Sequence, residues 1–160
     1  MGVANWNARP WLLAIAALCL AGVAVALTGQ YVFDMRPCPW CILQRVTFIV
    51  IALVCLIGAA VPAPGAWRAA AGLSLVLALL GVAQALYHHF VAAKSASCNL
   101  TLADKIITAL GLESLVPSLF QVTGSCAEAA TSMLGIPFEI WSLALFFAAG
   151  ALALRALIRG

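Results

Sequence analysis

Residues 11–29 read WLLAIAALCLAGVAVALTG, a run of nineteen positions without one charged side chain. Crossing the hydrocarbon core of a bilayer takes about 20 apolar residues, or about 17 at the short end. Backbone amides in lipid must form their hydrogen bonds within the segment, so a run of this kind is a helix. Comparable runs follow, which gives four predicted spans at about residues 11–29, 46–61, 69–87 and 140–157. The sequence therefore predicts an all-α membrane protein, a four-transmembrane-helix bundle.

The composition of the whole chain agrees with this prediction. Hydrophobic residues make up 66% of the 160 positions and charged residues 8%, whereas soluble domains are about 45–50% apolar and about 25% charged. Buried helices of a soluble core would each need one polar face, and none of the four runs has one. The length allows a single domain, residues 1–160. The chain carries no Gly-rich phosphate loop and no flavin or NAD fingerprint, and we expect no nucleic-acid partner.

The first apolar run has a competing interpretation as a cleaved signal peptide. Arg9 precedes it, and AVA at 24–26 resembles a signal-peptidase site. The run is longer than the apolar region of an ordinary signal peptide, and three further spans follow it. We therefore expect the run to be retained as the first span.

The positions of Lys and Arg orient the four spans. Four basic residues fall on each side: Arg9, Arg68, Arg155 and Arg159 with the termini, and Arg36, Arg45, Lys94 and Lys105 opposite. Lys94 and Lys105 belong to a long loop, which has little weight in setting topology. We therefore predict cytoplasmic termini and two outer loops, at about residues 30–45 and 88–139.

The second outer loop is long enough that a function is expected of it. Apolar residues between positions 102 and 110 recur near helical spacing. Thr101 and Asp104 are suited to start such a helix, and Gly111 is suited to end it. The segment could lie on the bilayer surface or pack on the bundle, and we favour an interfacial helix at the surface.

Six cysteines divide between the spans and the outer loops. Cys19 and Cys55 fall inside predicted spans, where cysteine behaves as a small apolar packing residue. The other four lie in the outer loops: Cys38, Cys41, Cys98 and Cys126. In an oxidising compartment this number favours two disulfides. A four-cysteine zinc site would prefer two close pairs, and haem attachment would need a histidine directly after the CxxC motif, where Ile42 stands. We expect no metal.

The motif formed by Cys38 and Cys41 indicates redox chemistry. A disulfide between residues so close in sequence constrains almost no loop entropy, so a purely structural role accounts for it poorly. Nearby positive charge favours the reactive thiolate. Arg45 lies one helical turn after Cys41, at a depth where a cation is costly and usually functional. It could stabilise the negative charge that a quinone carbonyl gains on reduction; the alternative is an arginine that only anchors the helix at the interface.

The chain resembles the bacterial disulfide-bond formation protein B (DsbB) family over nearly its full length. The resemblance is carried by the four spans, by PCPWCILQR at 37–45, by a second cysteine pair in SC at 97–98 and GSCAE at 124–128, and by LGIPFEIW at 134–141. It implies an enzyme of the bacterial inner membrane that reoxidises a periplasmic DsbA-like thiol oxidase. The electron acceptor that it implies is a membrane quinone, either ubiquinone or menaquinone.

The resemblance also implies roles for the four outer cysteines. The reduced partner would attack a Cys98–Cys126 disulfide and form its mixed disulfide with Cys98. The two thiols released would then reduce a Cys38–Cys41 disulfide, and Cys41, nearer the membrane, would pass the electrons to the quinone beside Arg45.

Two further positions follow from the same comparison. The family has a histidine at the outer end of the third span, which best matches His89, although His88 is adjacent. Gln44 stands where relatives carry an acid, so Arg45 would lack a neighbouring counter-ion, and Pro39–Trp40 between the thiols is also unusual.

Two other functions share parts of this sequence pattern. Vitamin K epoxide reductase-like enzymes are also quinone-linked, but they place the CxxC motif near the final helix, whereas here it comes first. A non-catalytic membrane subunit with loops braced by disulfides would show no quinone turnover and no mixed disulfide with a partner.

Overall fold

The computed structural model describes residues 7–94, 102–125, 132–133 and 135–159. Its long helices are α1 (Arg9–Val32), α2 (Pro39–Ala60), α3 (Pro64–Phe90) and α7 (Phe138–Arg159). Between α3 and α7 lie a 3₁₀ turn (Ala92–Lys94), three short helices and two strands: α4 (Leu102–Ala109), α5 (Leu112–Leu115), α6 (Pro117–Phe120), β1 (Ser132–Met133) and β2 (Ile136–Pro137). The strands pair antiparallel. The four long helices are each long and apolar enough to cross a membrane, which confirms the predicted four-helix membrane bundle.

Proline fixes the start of three of the long helices. Pro10 lies in the first turn of α1, Pro39 begins α2 and Pro64 begins α3. Proline is well tolerated there, because its missing N–H would have no helical partner and its φ angle is already helical. Since α2 begins at Pro39, ahead of the span predicted from residue 46, Cys41 and Arg45 lie within its first two turns.

The four long helices form a closed bundle, in which α2 packs against α1 and α3, and α7 packs against α3 and α1. Its core holds Cys19 and Cys55, both fully buried, which confirms their predicted packing role. Large apolar side chains such as Leu79 and Phe147 are exposed on the outside. An apolar exterior of this kind suits lipid better than water.

A close approach between α3 and α7 depends on Gly81. A Cβ atom built at Gly81 would lie 2.3 Å from the ring of Phe146. That ring stacks on Phe48 of α2, with centroids 3.9 Å apart and planes 5° from parallel. The glycine therefore makes room for an aromatic pair that joins three helices.

The helix predicted in the second outer loop is present as α4. Gly111 follows it with φ of +61°, the left-handed conformation that ends many helices. Ala103 and Ile107 are buried, and they pack against residues of α2. Leu102 and Leu110 are exposed. The placement of α4 at the bilayer surface stays a prediction. Thr101, which was expected to start the helix, lies outside the described residues.

Candidate redox site

Cys38 and Cys41 meet at the N-terminus of α2. Cys38 is the N-cap residue, with extended backbone, and its sulfur accepts a hydrogen bond from the Cys41 N–H over 3.3 Å. The two sulfur atoms are 2.9 Å apart. Cys38 is fully buried and Cys41 is half-buried. The start of the helix thus turns both thiols of the CxxC motif toward each other, where the free amides of the first turn favour negative charge.

The two thiols are not equivalent. The hydrogen bond with Cys41 is the main cause that raises the pKa of the Cys38 thiol well above its ordinary value, and burial is the second. This hydrogen bond and burial therefore both disfavour a thiolate at Cys38. Cys41, by contrast, is only half-buried.

Side chains from α2, the 3₁₀ turn and α4 cover Cys38. Its buried neighbours are Trp40 and Leu43 of α2, Ala92 of the 3₁₀ turn and Ala103 of α4. Trp40 packs on Tyr87 of α3 with ring centroids 4.7 Å apart. The tryptophan between the two thiols therefore serves to seal Cys38 from outside.

Two adjacent histidines at the outer end of α3 point to different partners. His88 is buried, and its Nε2 lies 3.5 Å from the Cys38 sulfur. His89 Nδ1 lies 2.9 Å from Oε1 of Glu139, a carboxylate that is 4% exposed at the start of α7. Neither histidine is among the residues that line the cavity described next. The assignment of His89 to quinone binding stays a prediction, and Glu139 was not singled out by the sequence.

A cavity of about 420 Å³ lies between α1, α2 and α7. Most of its lining is apolar, with Leu18, Val23, Phe48 and Leu145 among the contributors. Polar groups gather at its outer end: Gln30, Cys41, Gln44 and Arg45. Ligand sites in proteins are typically about 300–1,000 Å³, mostly apolar and fixed by a few polar groups. The cavity therefore has the size and character of a site for an apolar ligand with a polar head.

Arg45 is held inside the bundle and is only 4% exposed. Its Nη1 donates hydrogen bonds to Gln30 Oε1 over 3.0 Å and to the backbone carbonyl of Leu119 in α6. Among the described residues no carboxylate lies within ion-pair distance of it. An interfacial anchor would extend to water, whereas this guanidinium is buried at the cavity and held by neutral acceptors.

Two buried donors at the cavity have no acceptor among the described residues: Gln44 Nε2 and Arg45 Nε. Gln44 is 3% exposed. A buried donor without a partner costs about 1–3 kcal/mol, and most such groups in proteins are satisfied. Both atoms belong to residues that line the cavity. The residues at the cavity thus fit a ligand with carbonyl acceptors on an apolar ring.

The second outer loop docks on the first beside Cys38. The N–H groups of Thr123 and Gly124 both donate to the carbonyl of Pro37 over 3.1 Å. The Tyr31 hydroxyl donates to the carbonyl of Ser118 in α6. Cys98 and Cys126 lie outside the described residues, so their pairing stays a prediction.

A four-helix membrane bundle with a thiol pair at the mouth of an apolar cavity defines a class, the membrane thiol oxidoreductases. The family model described as disulfide bond formation protein DsbB matches residues 8–156. A "Disulfide bond formation protein B 1" of Pseudomonas syringae pv. syringae is 36% identical over 152 residues, which cover 94% of this chain and 90% of the relative.

Two further relatives carry the name "Disulfide bond formation protein B". The protein of Herminiimonas arsenicoxydans is 34% identical and covers 88% of this chain and 89% of its own length. The protein of Cupriavidus necator is 32% identical, and the match covers 88% of this chain and 87% of the relative. The chain belongs to the DsbB family, which confirms the resemblance, and it is a multi-pass membrane oxidoreductase of disulfide bond formation.

Proposed function

We propose that this protein sits in the bacterial inner membrane, with both termini cytoplasmic, and reoxidises a periplasmic DsbA-like thiol oxidase. Electrons enter at a Cys98–Cys126 disulfide, pass to Cys38–Cys41 and leave to a membrane quinone, either ubiquinone or menaquinone. The partner's dithiol loses two electrons and two protons and becomes a disulfide. The quinone gains them and becomes a hydroquinone.

The observation that supports this proposal best is the position of Cys41. Cys41 and Arg45 line the same cavity, one helical turn apart on α2. The quinone supplies a two-electron oxidant that dissolves in lipid. Arg45 would hold a quinone carbonyl near Cys41 and stabilise negative charge there, and Gln44 would add a second polar side chain to the same end of the cavity. Cys38 supplies the second sulfur of the disulfide that results.

The docking of the outer loops supports transfer between the two cysteine pairs. Gly124 is hydrogen-bonded to Pro37, the residue directly before Cys38, and Cys126 follows Gly124 by two positions in the sequence. This arrangement gives the second loop a fixed attachment beside the CxxC pair. Thiol–disulfide exchange requires the attacking thiolate to reach one particular sulfur, so a fixed attachment favours it.

The direct test uses purified protein in lipid nanodiscs with ubiquinone or menaquinone and a reduced DsbA-type dithiol protein. We expect one quinone to be reduced for each partner disulfide formed. Cys38→Ser and Cys41→Ser should abolish turnover, whereas Cys55→Ser, in the helical core, should retain it. Equal turnover in the Cys41→Ser variant would contradict the proposed route.

A second test concerns the pair at which electrons enter. Cys126→Ser leaves Cys98 able to hold a mixed disulfide but without its resolving thiol. Oxidation with a partner that lacks its own resolving cysteine should give a stable adduct at Cys98, identified by peptide mapping. An adduct at Cys38 or Cys41 instead would assign entry to the other pair.

The orientation can be tested on intact cells. After reduction, a thiol label that cannot cross membranes should reach Cys98 and Cys126 from outside. Labelling only from the cytoplasmic face would reverse the proposed topology.

A further inference from the structure

We propose that the reduced Cys38–Cys41 pair and His88 together form a binding site for a thiophilic metal ion such as Zn²⁺ or Cu⁺. The bound ion would hold the pair in its dithiolate form and block formation of the disulfide. The site shares Cys41 with the cavity, whereas its third ligand, His88, does not line that cavity.

The geometry of the three side chains suits tetrahedral coordination. The Cys38 sulfur, the Cys41 sulfur and a His88 ring nitrogen lie within 4.8 Å of one another. Zinc binds sulfur at about 2.3 Å and nitrogen at about 2.0–2.1 Å, so tetrahedral angles place such ligands about 3.5 Å apart. The distance from Cys38 Sγ to His88 Nε2 is 3.5 Å, which already matches that separation.

The second sulfur has to move, because its separation from the His88 nitrogen, which is within 4.8 Å, must also approach about 3.5 Å. Two sulfur ligands of a tetrahedral zinc ion are about 3.8 Å apart, and those of Cys38 and Cys41 are 2.9 Å apart. Cys41 is half-buried and faces the cavity, so its side chain has room to turn. A position on the open side of Cys41 remains for a fourth ligand.

His88 has the environment of a ligand rather than of a core histidine with satisfied nitrogens. It is 2% exposed, and its Nδ1 has no hydrogen-bond partner among the described residues. Its Nε2 contacts the Cys38 sulfur. Neutral imidazole is the commonest metal ligand in proteins, and two sulfurs with one nitrogen select Zn²⁺ or Cu⁺ over Mg²⁺ or Ca²⁺.

The charges around the cluster balance in favour of a cation. Binding of Zn²⁺ displaces the two thiol protons, and the charges of the two thiolates and the ion then cancel. The N-terminal amides of α2 stabilise thiolates, and the Glu139 carboxylate, shared with His89, adds negative charge nearby. Arg45, one turn from Cys41, opposes the ion. The disulfide form has no thiolate, so the site exists only in the reduced state.

The test uses full-length protein in which Cys98→Ser and Cys126→Ser remove the other loop thiols. The protein is reduced, freed of reductant without air and titrated with Zn²⁺ against a chromophoric chelator. We expect one Zn²⁺ per chain when reduced and none when oxidised. His88→Ala should weaken binding about tenfold or more, since even indirect supports of metal sites contribute that much. Cys55→Ser, which changes a thiol in the helical core away from the cluster, is the control and should bind normally.

A second measurement does not depend on the folding of the His88 variant. Zinc X-ray absorption on the reduced Cys98→Ser/Cys126→Ser protein should show two sulfur neighbours and at least one imidazole. A spectrum without imidazole, or Zn²⁺ affinity unchanged in His88→Ala, would overturn the proposal. Because neither measurement uses quinone turnover, a protein that fails to reduce quinone but binds Zn²⁺ through His88 would refute the proposed function and leave this site standing.

Discussion

The N–H of Gly124 donates a hydrogen bond to the carbonyl of Pro37 over 3.1 Å and so fixes the second outer loop against the residue that precedes Cys38. A side chain at Gly124 would disturb this contact, because a Cβ atom there would lie 2.8 Å from both the Cβ and the carbonyl oxygen of Arg36. The attachment of one loop to the other therefore depends on the absence of a side chain at this glycine.

Gly124→Ala should slow electron transfer between the two cysteine pairs. We expect the single-turnover rate of partner oxidation to fall about tenfold, because the alanine methyl group pushes the loop off Pro37 and a loss of about 1.4 kcal/mol is tenfold. Quinone binding, measured separately, should be unchanged. Gly65→Ala is the control, since a Cβ there meets nothing within 4 Å. Full activity of Gly124→Ala would show that the docked position of the loop is not needed for transfer.

Gly81→Ala should weaken both the bundle and the cavity. The new methyl group would overlap the Phe146 ring, and overpacking of this kind costs about 1–3 kcal/mol. Phe146 stacks on Phe48, which lines the cavity, so the KM for quinone should rise as well. Thermal unfolding in detergent and quinone titration test the two effects. Gly72→Ala on the same helix has open space around it and should change neither.

Much of the fold could be predicted from the sequence, because a segment that crosses lipid must be a helix of about 20 mostly apolar residues. The helix α2 begins at Pro39, ahead of the apolar run that starts at Val46, for a physical reason. A count of apolar residues stops at Arg45 and Gln44, whereas the helix continues through them to Pro39 because both side chains are held inside the bundle. The cysteine motif and Arg45 were found from spacing alone, since one helical turn places Cys41 and Arg45 on one face.

Other features of the site could not be found this way, since they depend on how helices rotate and pack. His88 and His89 are neighbours in sequence, and only the rotation of α3 decides that His88 faces Cys38. In the sequence, Glu139 is not distinguished from the other acids of the outer loops. The packing of α7 against α3 is what buries it beside His89. The role of Gly124 depends likewise on a contact between two loops.

The pair formed by His89 and Glu139 should contribute to stability as a unit. Removal of His89 leaves the buried Glu139 carboxylate without this partner, at about 1–3 kcal/mol, and removal of the carboxylate takes the contact from the partly exposed His89. We expect His89→Ala and Glu139→Gln each to lower the free energy of unfolding, and the double variant to lose less than the sum of both. Reversible unfolding in mixed detergent micelles gives the coupling energy of this double-mutant cycle. Additive losses would mean that the 2.9 Å contact does not stabilise the bundle.

The last prediction concerns Arg45, to which we assign two roles: support of a thiolate at Cys41 and binding of the quinone carbonyl. Arg45→Met keeps the length and apolar packing of the side chain but removes its charge. Loss of one hydrogen bond from a charged donor costs about 1.5–3 kcal/mol, so the KM for quinone should rise roughly ten- to a hundred-fold. Arg45→Lys should recover only part of this, because a point charge lacks the planar fork of a guanidinium.

Variants of two residues beside Arg45 separate the effect of its charge from the effect of its position. Gln30→Leu removes one of the acceptors that hold Arg45 but leaves the carbonyl of Leu119, so the KM for quinone should rise less than in Arg45→Met. Gln44→Met removes a donor without a partner and should raise KM with little change in kcat, since Gln44 does not touch the thiols. Thiol exchange between the partner and the second loop should stay near normal in all four variants, measured as single-turnover partner oxidation. Unchanged quinone kinetics in Arg45→Met would reduce Arg45 to a structural tie between α1, α2 and α6, and quinone binding would then have to be sought at His88 or His89.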